Sequence, residues 1–570
     1  MYKIMQIILV LVVYSLIYSH GFKVDDGVQK NLEKKDSCSN NSPLRSSVSG
    51  TFQGTWMVTR RGRRFEAYRS IRYAEPPVGN LRFQPPKPIL TYTDVVNATT
   101  DGPRCPQPAA PDLLVDEDCL IMNVYTPQKK RIELLPVILF IHPGGFYSMN
   151  SRSNVFGPEY LLDRDIVLVT INYRLGSLGF LALGNELAPG NNGFKDQVVA
   201  MKWVQRNIAS FGGNPDLVTI AGYSAGSKSV MLHMISPMSK GLFHRAIALS
   251  AGAIAKVPDT SSLLDLAKKQ AKISNCPGDN MTALFECLKT KDWREIQGSL
   301  IGFFDFGFDP LSLWRQVVEP NFGQERFLET EPMDTIRQGN IHEVPFIIGQ
   351  NTGEFFWKAF TVLNNQTLLD TLNLEWDRIA PISFILPQNE THERMMKLRR
   401  SYFGEQQLVN DTTTAMRLGN LYADAITAFP VHRSANLFSR HSKKPVYYCE
   451  FAYIGNHSFY EDPDTKKPIR VAHHDDLLYL FTISYRFPTI DVANTMDSRM
   501  VDRMTAIWYS FAKYGDPNTR DDNSELPGIH WPMMKADQRK YLRIDKEFSV
   551  QQNLKEDRLK VWEELYPIEY

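Results

Sequence analysis

The sequence predicts an α/β protein: a large, mostly parallel central sheet flanked by helices, with helical insertions. Three observations predict it. Short apolar runs recur without polar alternation, amphipathic helical stretches lie between them, and no Pro- or Gly-rich linker divides the chain after about residue 45. Uninterrupted apolar runs suit strands covered on both faces, as in parallel sheets. Their alternation with helices calls for right-handed crossovers within one sheet.

In chain order the runs are VILFI (Val137 to Ile141), IVLVTI (Ile166 to Ile171), LVTIA (Leu217 to Ala221), AIALS (Ala246 to Ser250), FII (Phe346 to Ile348) and VYYCEF (Val446 to Phe451). In the stretch GFKDQVVAMKWVQRNIASFGG, residues Phe194, Val198, Met201, Val204 and Ile208 share one helical face, and Gly212 supplies the C-terminal stop. A helical excursion is expected from about Ala255 to Gly339, carrying SSLLDLAKKQAKIS and MTALFECLK between the strands near Ile247 and Phe346.

The beginning of the chain differs. One early Lys3 precedes an apolar run from Ile4 to Tyr18, and small residues Ser19 and Gly21 follow. This pattern is that of a signal peptide over residues 1–21. The alternative, an uncleaved anchor, calls for about 20 apolar residues, and the run is shorter. Residues 22–45 are polar and are expected to form a flexible leader. Residues 46–570 then form one large domain. No later segment is apolar enough for stable membrane insertion.

Secretion brings disulfides and glycans. Six cysteines include two locally spaced pairs, Cys105 with Cys119 and Cys276 with Cys287, while Cys38 and Cys449 either pair or stay free. A buried thiol is the plain expectation for Cys449, which lies in an apolar run. Sequons occur at Asn40, Asn97, Asn280, Asn365, Asn389, Asn410 and Asn456. Lys plus Arg total 64 against 63 for Asp plus Glu, a net charge of +1 with no basic stripe, which argues against a nucleic-acid partner.

Gly222, Tyr223, Ser224, Ala225 and Gly226 spell G-x-S-x-G. Alone the pattern is weak. Here it follows a β-branched run and opens a helix-compatible segment, the strand-turn-helix setting of a nucleophile elbow. The glycines acquire a reason, since a tight turn brings backbone too close for a β-carbon. Acyl transfer also needs donors for an oxyanion. HPGGF follows VILFI directly, and the amides of Gly144, Gly145 and Ala225 can supply them. A serine nucleophile needs a base oriented by an acid, in the chain order Ser, acid, His. His473 and His474 in VAHHDDLLYLF are both candidates that spacing cannot separate, and Glu354 in GQNTGEFF lies just beyond a strand.

Several blocks together resemble the type-B carboxylesterase and cholinesterase family of α/β-hydrolases: EDCLIMNVYTP, HPGGF, INYRLGSLGFL, GNNGFKDQ, WVQRNIASFGGNPDLVTIAGYSAG, GQNTGEF, HHDDLLYLF and FAKYGDPN. The match runs from about residue 48 to the C-terminus. The resemblance implies the α/β-hydrolase fold, with Ser224 as nucleophile, Glu354 as acid and His473 rather than His474 as base. It also implies Gly144, Gly145 and Ala225 as oxyanion donors, and disulfides Cys105 to Cys119 and Cys276 to Cys287.

Three departures stand out. Tyr223 replaces the Glu that many members carry before the nucleophile. His474 adds a second imidazole where the family usually has a small residue. The loop PQPAAPDLLVDED lacks the aromatic residue with which cholinesterases hold a quaternary ammonium.

The chain therefore looks like a secreted serine carboxylesterase, most similar to those of insects. It is expected to act on a small-molecule ester through an acyl-enzyme, with neither metal nor organic cofactor, and juvenile-hormone-type esters form one substrate subclass. Rival readings are a non-catalytic neuroligin-like adhesion or binding module, whose kind usually lacks a full triad, and a lipase acting on aggregated glycerides.

Overall fold

A computed structural model of the chain describes residues 42–570 apart from 128–132, 255, 257–263, 388 and 519–527. The signal peptide, most of the leader, Cys38 and Asn40 lie outside the described residues. Residues Pro43–Tyr570 form one compact unit. Order begins slightly earlier than expected. The first strand, β1 (Leu44–Ser47), starts inside the segment assigned to the leader, because it pairs antiparallel with β2 (Gly50–Gln53). These two and β5 (Val96–Asn97) make a small three-stranded sheet.

The other eleven strands form one sheet in the order β14-β13-β12-β11-β10-β9-β7-β8-β6-β4-β3. Its middle is β7 (Leu135–Ile141), β8 (Val167–Ile171), β9 (Gly213–Tyr223), β10 (Arg245–Leu249), β11 (Phe346–Asn351) and β12 (Val446–Phe451). All six apolar runs became strands, and they pair in parallel with one another. On one flank, β3 (Thr55–Val58), β4 (Arg64–Arg72) and β6 (Ile121–Pro127) add by antiparallel pairing. On the other flank, β13 (Lys540–Ile544) joins in parallel and β14 (Ser549–Gln552) turns back antiparallel.

Side chains alternate across the sheet into two cores. Val137, Leu139, Ile141, Val218, Ile220 and Ile348 face one core, while Ile138, Phe140, Ala221, Tyr223, Ile347 and Cys449 face the other. The first is covered by the helix Asn192–Asn207, which buries Phe194, Val198, Met201 and Val204 completely; Ile208, also buried, opens the 3-10 turn that continues it. Gly212 closes that turn with φ +81°, as its position implied. The second is covered by the helix Met496–Tyr514.

The excursion between β10 and β11 holds the helices Leu264–Ile273 and Met281–Thr290, the latter bearing half of the Cys276 to Cys287 disulfide. The Cys105 to Cys119 disulfide is also formed. Cys449 is a free, buried thiol among the described residues. A second excursion between β11 and β12 runs from Lys358 to His441 as six α-helices, and packs its own core around Trp376, Phe384, Tyr422 and the C-terminal Trp562.

Two buried ion pairs brace the segments that carry the sheet's C-terminal edge. Arg174, just beyond β8, clasps Asp196 through Nε to Oδ2 at 2.9 Å and Nη2 to Oδ1 at 2.7 Å. Lys195 meets Glu319 at 2.6 Å. Asp196 is fully buried and Arg174 nearly so, so removing the carboxylate strands a cation in the interior. Asp196→Ala is expected to cost about 3 to 5 kcal/mol in chemical denaturation. A loss under about 1 kcal/mol, the value of a surface pair, contradicts that assignment.

Candidate active site

Parallel strands end on a common edge, and there β7, β9 and β11 each hand the chain to a functional turn. Ser224 follows β9 with φ +53° and ψ −116°, a conformation that costs an L-residue free energy and persists only where neighbours enforce it. The neighbours are glycines. A β-carbon on Gly222 would lie 2.2 Å from the Gly226 carbonyl oxygen, and one on Gly226 would lie 2.0 Å from the carbonyl oxygen of Ile141 at the end of β7. The amide of Ser224 donates to Leu249 O at 2.8 Å, fixing the turn to β10. The helix Ala225–His233 opens immediately afterwards, as the elbow reading requires.

Beyond β7, Gly144 and Gly145 adopt φ +115° and +61°. A side chain at Gly144 would collide with Ser148 O at 2.0 Å. Gly176 holds this loop from below by donating to Phe146 O at 2.7 Å. Among the described residues, the amides of Gly144, Gly145 and Ala225 donate to no backbone acceptor outside their own elements, which leaves three donors at one edge.

Glu354 sits in the turn after β11 and is fully buried. One carboxylate oxygen accepts the Asn351 amide at 2.8 Å, and the other meets His473 Nδ1 at 2.5 Å. The structure therefore pairs Glu354 with His473 across 119 residues of sequence and separates the adjacent histidines. His474 takes a left-handed φ of +84°. The His473 ring packs against Phe355 with centroids 4.1 Å apart and against Tyr223 at 5.1 Å. Its other nitrogen, Nε2, is buried and has no hydrogen-bond partner among the described residues.

Burial sets the protonation of this dyad. It pushes the Glu354 carboxyl up to about 7, against the Asn351 amide that favours the ionised form. It pulls the His473 imidazole down to about 3. Each direction has the same cause, since burial disfavours the charged form of each group taken singly. Above about pH 7 the pair holds one proton, on Nδ1 facing a carboxylate, and Nε2 keeps its lone pair. Acidification adds a second proton; the Nδ1 to carboxylate bond holds only one, so the other occupies Nε2, which loses its basicity.

Sequence reasoning missed what holds the His473 loop in place. The Tyr223 hydroxyl accepts the backbone N–H of His474 at 2.9 Å and Asn351 Nδ2 at 3.2 Å. Asn351 Nδ2 also reaches Ala472 O at 2.8 Å and Asp476 Oδ1 at 3.0 Å. Asp475 gathers Ser458 Oγ, Phe459 N and Ala472 N, each at 2.7 Å. Tyr223, the residue before Ser224, is thus tied to the loop bearing His473. The signal for Asn351 was a polar residue ending an apolar strand, and only the tertiary fold shows its partners.

A sequence profile described as the carboxylesterase family matches residues 41–562. A carboxylic ester hydrolase of Bombus ignitus is 33% identical over 88% of this chain and 89% of its own length. The juvenile hormone esterase of Tribolium castaneum is 33% identical over 84% of each chain. The crystal structure of juvenile hormone esterase from Manduca sexta, with OTFP covalently attached, superposes with a TM-score of 0.80 at 26% identity, over 93% of this chain and all of that one. The chain belongs to the carboxylesterase family and has the α/β-hydrolase fold.

The Tyr223 network makes a test. Tyr223→Phe leaves the buried His474 amide without its acceptor, at a cost of about 1 to 3 kcal/mol, and loosens the loop behind His473. Ester turnover is expected to show kcat falling about tenfold with KM little changed, the mark of mispositioned chemistry rather than lost binding. Wild-type kcat in the variant contradicts a positioning role.

Proposed function

We propose that the chain hydrolyses carboxylic esters with Ser224 as nucleophile, His473 as base and Glu354 as the acid that orients it. The 2.5 Å bond from His473 Nδ1 to Glu354 carries the reading, because it fixes the imidazole tautomer whose Nε2 accepts a proton. Ser224 Oγ attacks the ester carbonyl while its proton passes to Nε2. The amides of Gly144, Gly145 and Ala225 receive the oxyanion. Collapse expels the alcohol, which takes the proton back from Nε2. Water, deprotonated by the same nitrogen, then attacks the acyl-enzyme and releases the acid. Glu354 stays ionised and stabilises the imidazolium at each tetrahedral stage.

Family membership supports an ester substrate, and relatives named juvenile hormone esterase make such esters one candidate subclass. An adhesion module has no use for a buried Glu-His pair beside an elbow serine. Secretion is part of the same proposal. It is supported by the N-terminal pattern, by two disulfides and by the exposure of Asn97, Asn280, Asn365, Asn389, Asn410 and Asn456. Asn280 and Asn365 cap helices with Oδ1, a role that leaves Nδ2 for a glycan. Among the described residues no helix is long and apolar enough to cross a membrane.

Two outcomes test the reaction. On a panel of aryl esters, Ser224→Ala is expected to lose at least about a thousandfold in kcat; comparable turnover by both proteins refutes the mechanism. For the wild type, kcat/KM is expected to fall on acidification through a midpoint near the raised Glu354 value of about 7. The one-proton dyad is the active form and lies above that midpoint, so the acid side is the inactive side. A rate independent of pH from about 5 to 8 contradicts the dyad.

A further inference from the structure

Between Val218 and Ser236 every residue is buried except two, Ser224 and Lys228. They are one helical turn apart, with Lys228 N–H donating to Ser224 O at 3.1 Å, so they stand on the same face. A helical side chain leans toward the N-terminus, which carries Lys228 over the turn that presents the nucleophile. Its ammonium reaches Ser312 Oγ at 3.3 Å. That places it against the wall formed by residues 312–315, where Trp314 packs on Tyr147 of the oxyanion loop at 6.0 Å.

This cation is poorly matched by the protein. Among the described residues, its hydrogen bond goes to a neutral hydroxyl. The charges that act on it or feel it, among the described residues, are those of Arg315 and Lys256, both of like sign. Lys256 itself is satisfied by the carbonyls of Phe384, Ile385 and Ala425. A deeply set ammonium facing further cations costs free energy unless something anionic offsets it. The accessible face it shares with Ser224 is where a substrate arrives.

We propose that Lys228 is a specificity residue for esters that carry an anionic group, a carboxylate in the simplest case, a few bonds from the scissile carbonyl. The proposal rests on the hydrolase reading above and names its substrate class. The carboxylate supplies a counter-charge and forms a charge-assisted bond with the ammonium. Burial, reinforced by Arg315, draws the Lys228 ammonium down to about 8, which leaves it mostly charged at pH 7 and sensitive to an anion.

The experiment compares esters matched in size. For an anion on the acyl side, mono-p-nitrophenyl succinate is set against p-nitrophenyl butyrate. For an anion on the alcohol side, 3-acetoxybenzoate is set against 3-acetoxybenzamide. The readout is the ratio of kcat/KM for the anionic over the neutral ester, measured at pH 7 within each protein. Such a ratio cancels losses of folded material and of shared chemistry. In Lys228→Met the ratio is expected to fall about 10- to 100-fold in at least one pair, and Lys228→Arg is expected to retain most of it. The pair that responds identifies the side on which the anion sits. Equal ratios in wild type and Lys228→Met for both pairs overturn the proposal while leaving the hydrolase reading standing. If the wild type turns over neither neutral ester nor its anionic partner, both fall together.

Discussion

The site depends on one steric constraint, the left-handed backbone of Ser224 locked between two glycines. No L-residue adopts φ +53° with ψ −116° unless its surroundings hold it there. Gly222 and Gly226 touch each other across the turn, and Gly226 lies against the end of β7. The same close approach therefore sets the Ser224 turn against the strand that leads to Gly144 and Gly145. A methyl group at either glycine would collide with backbone and force this turn apart.

Around that constraint, burial does the electrical work. Glu354 and His473 are removed from water at the sheet's edge, and burial favours the neutral form of each, so the imidazole stays uncharged. Such a pair needs its geometry enforced by groups that do not react. Asn351 serves both halves, giving its amide to Glu354 and its side chain to Tyr223, Ala472 and Asp476. Farther out, the Arg174 to Asp196 and Lys195 to Glu319 pairs join the loop after β8 and the first excursion to the helix Asn192–Asn207. Polar interactions are thus concentrated where position matters, and the sheet beneath is apolar on both faces.

The parallel middle of the sheet was legible because strands buried on both faces leave continuous apolar runs, and all six runs formed strands. Ser224 was legible for a similar reason, since the strand, the glycines and the helix that make an elbow are contiguous. The antiparallel flank was not. β6 reads IMNVYTP, with Asn123 and Thr126 interrupting it, yet every residue is buried because Asn123 finds Ser151 and Thr170, and Thr126 finds Phe211. The second excursion was also missed, as its short helices bury their faces against one another and against Trp562 rather than against the sheet. Spacing alone did not separate His473 from His474, and it was the family resemblance that pointed to His473. Both rings have the same chemistry; His474 takes a left-handed turn, and Glu354 from a different strand pairs with His473. Tyr223 looked like a departure from a family habit, whereas its hydroxyl tethers the loop that bears His473 and His474.

The most direct test of the account is the rate and position of phosphonylation by a fluorophosphonate, followed by mass spectrometry of the intact chain and its peptides. The probe needs no substrate preference, only a serine activated by a neighbouring base beside oxyanion donors. The account predicts one phosphonyl group per chain, on the peptide containing Ser224, at a rate at least about a hundredfold slower in His473→Ala. Modification at a different serine, or equal rates with and without the His473 imidazole, would contradict it.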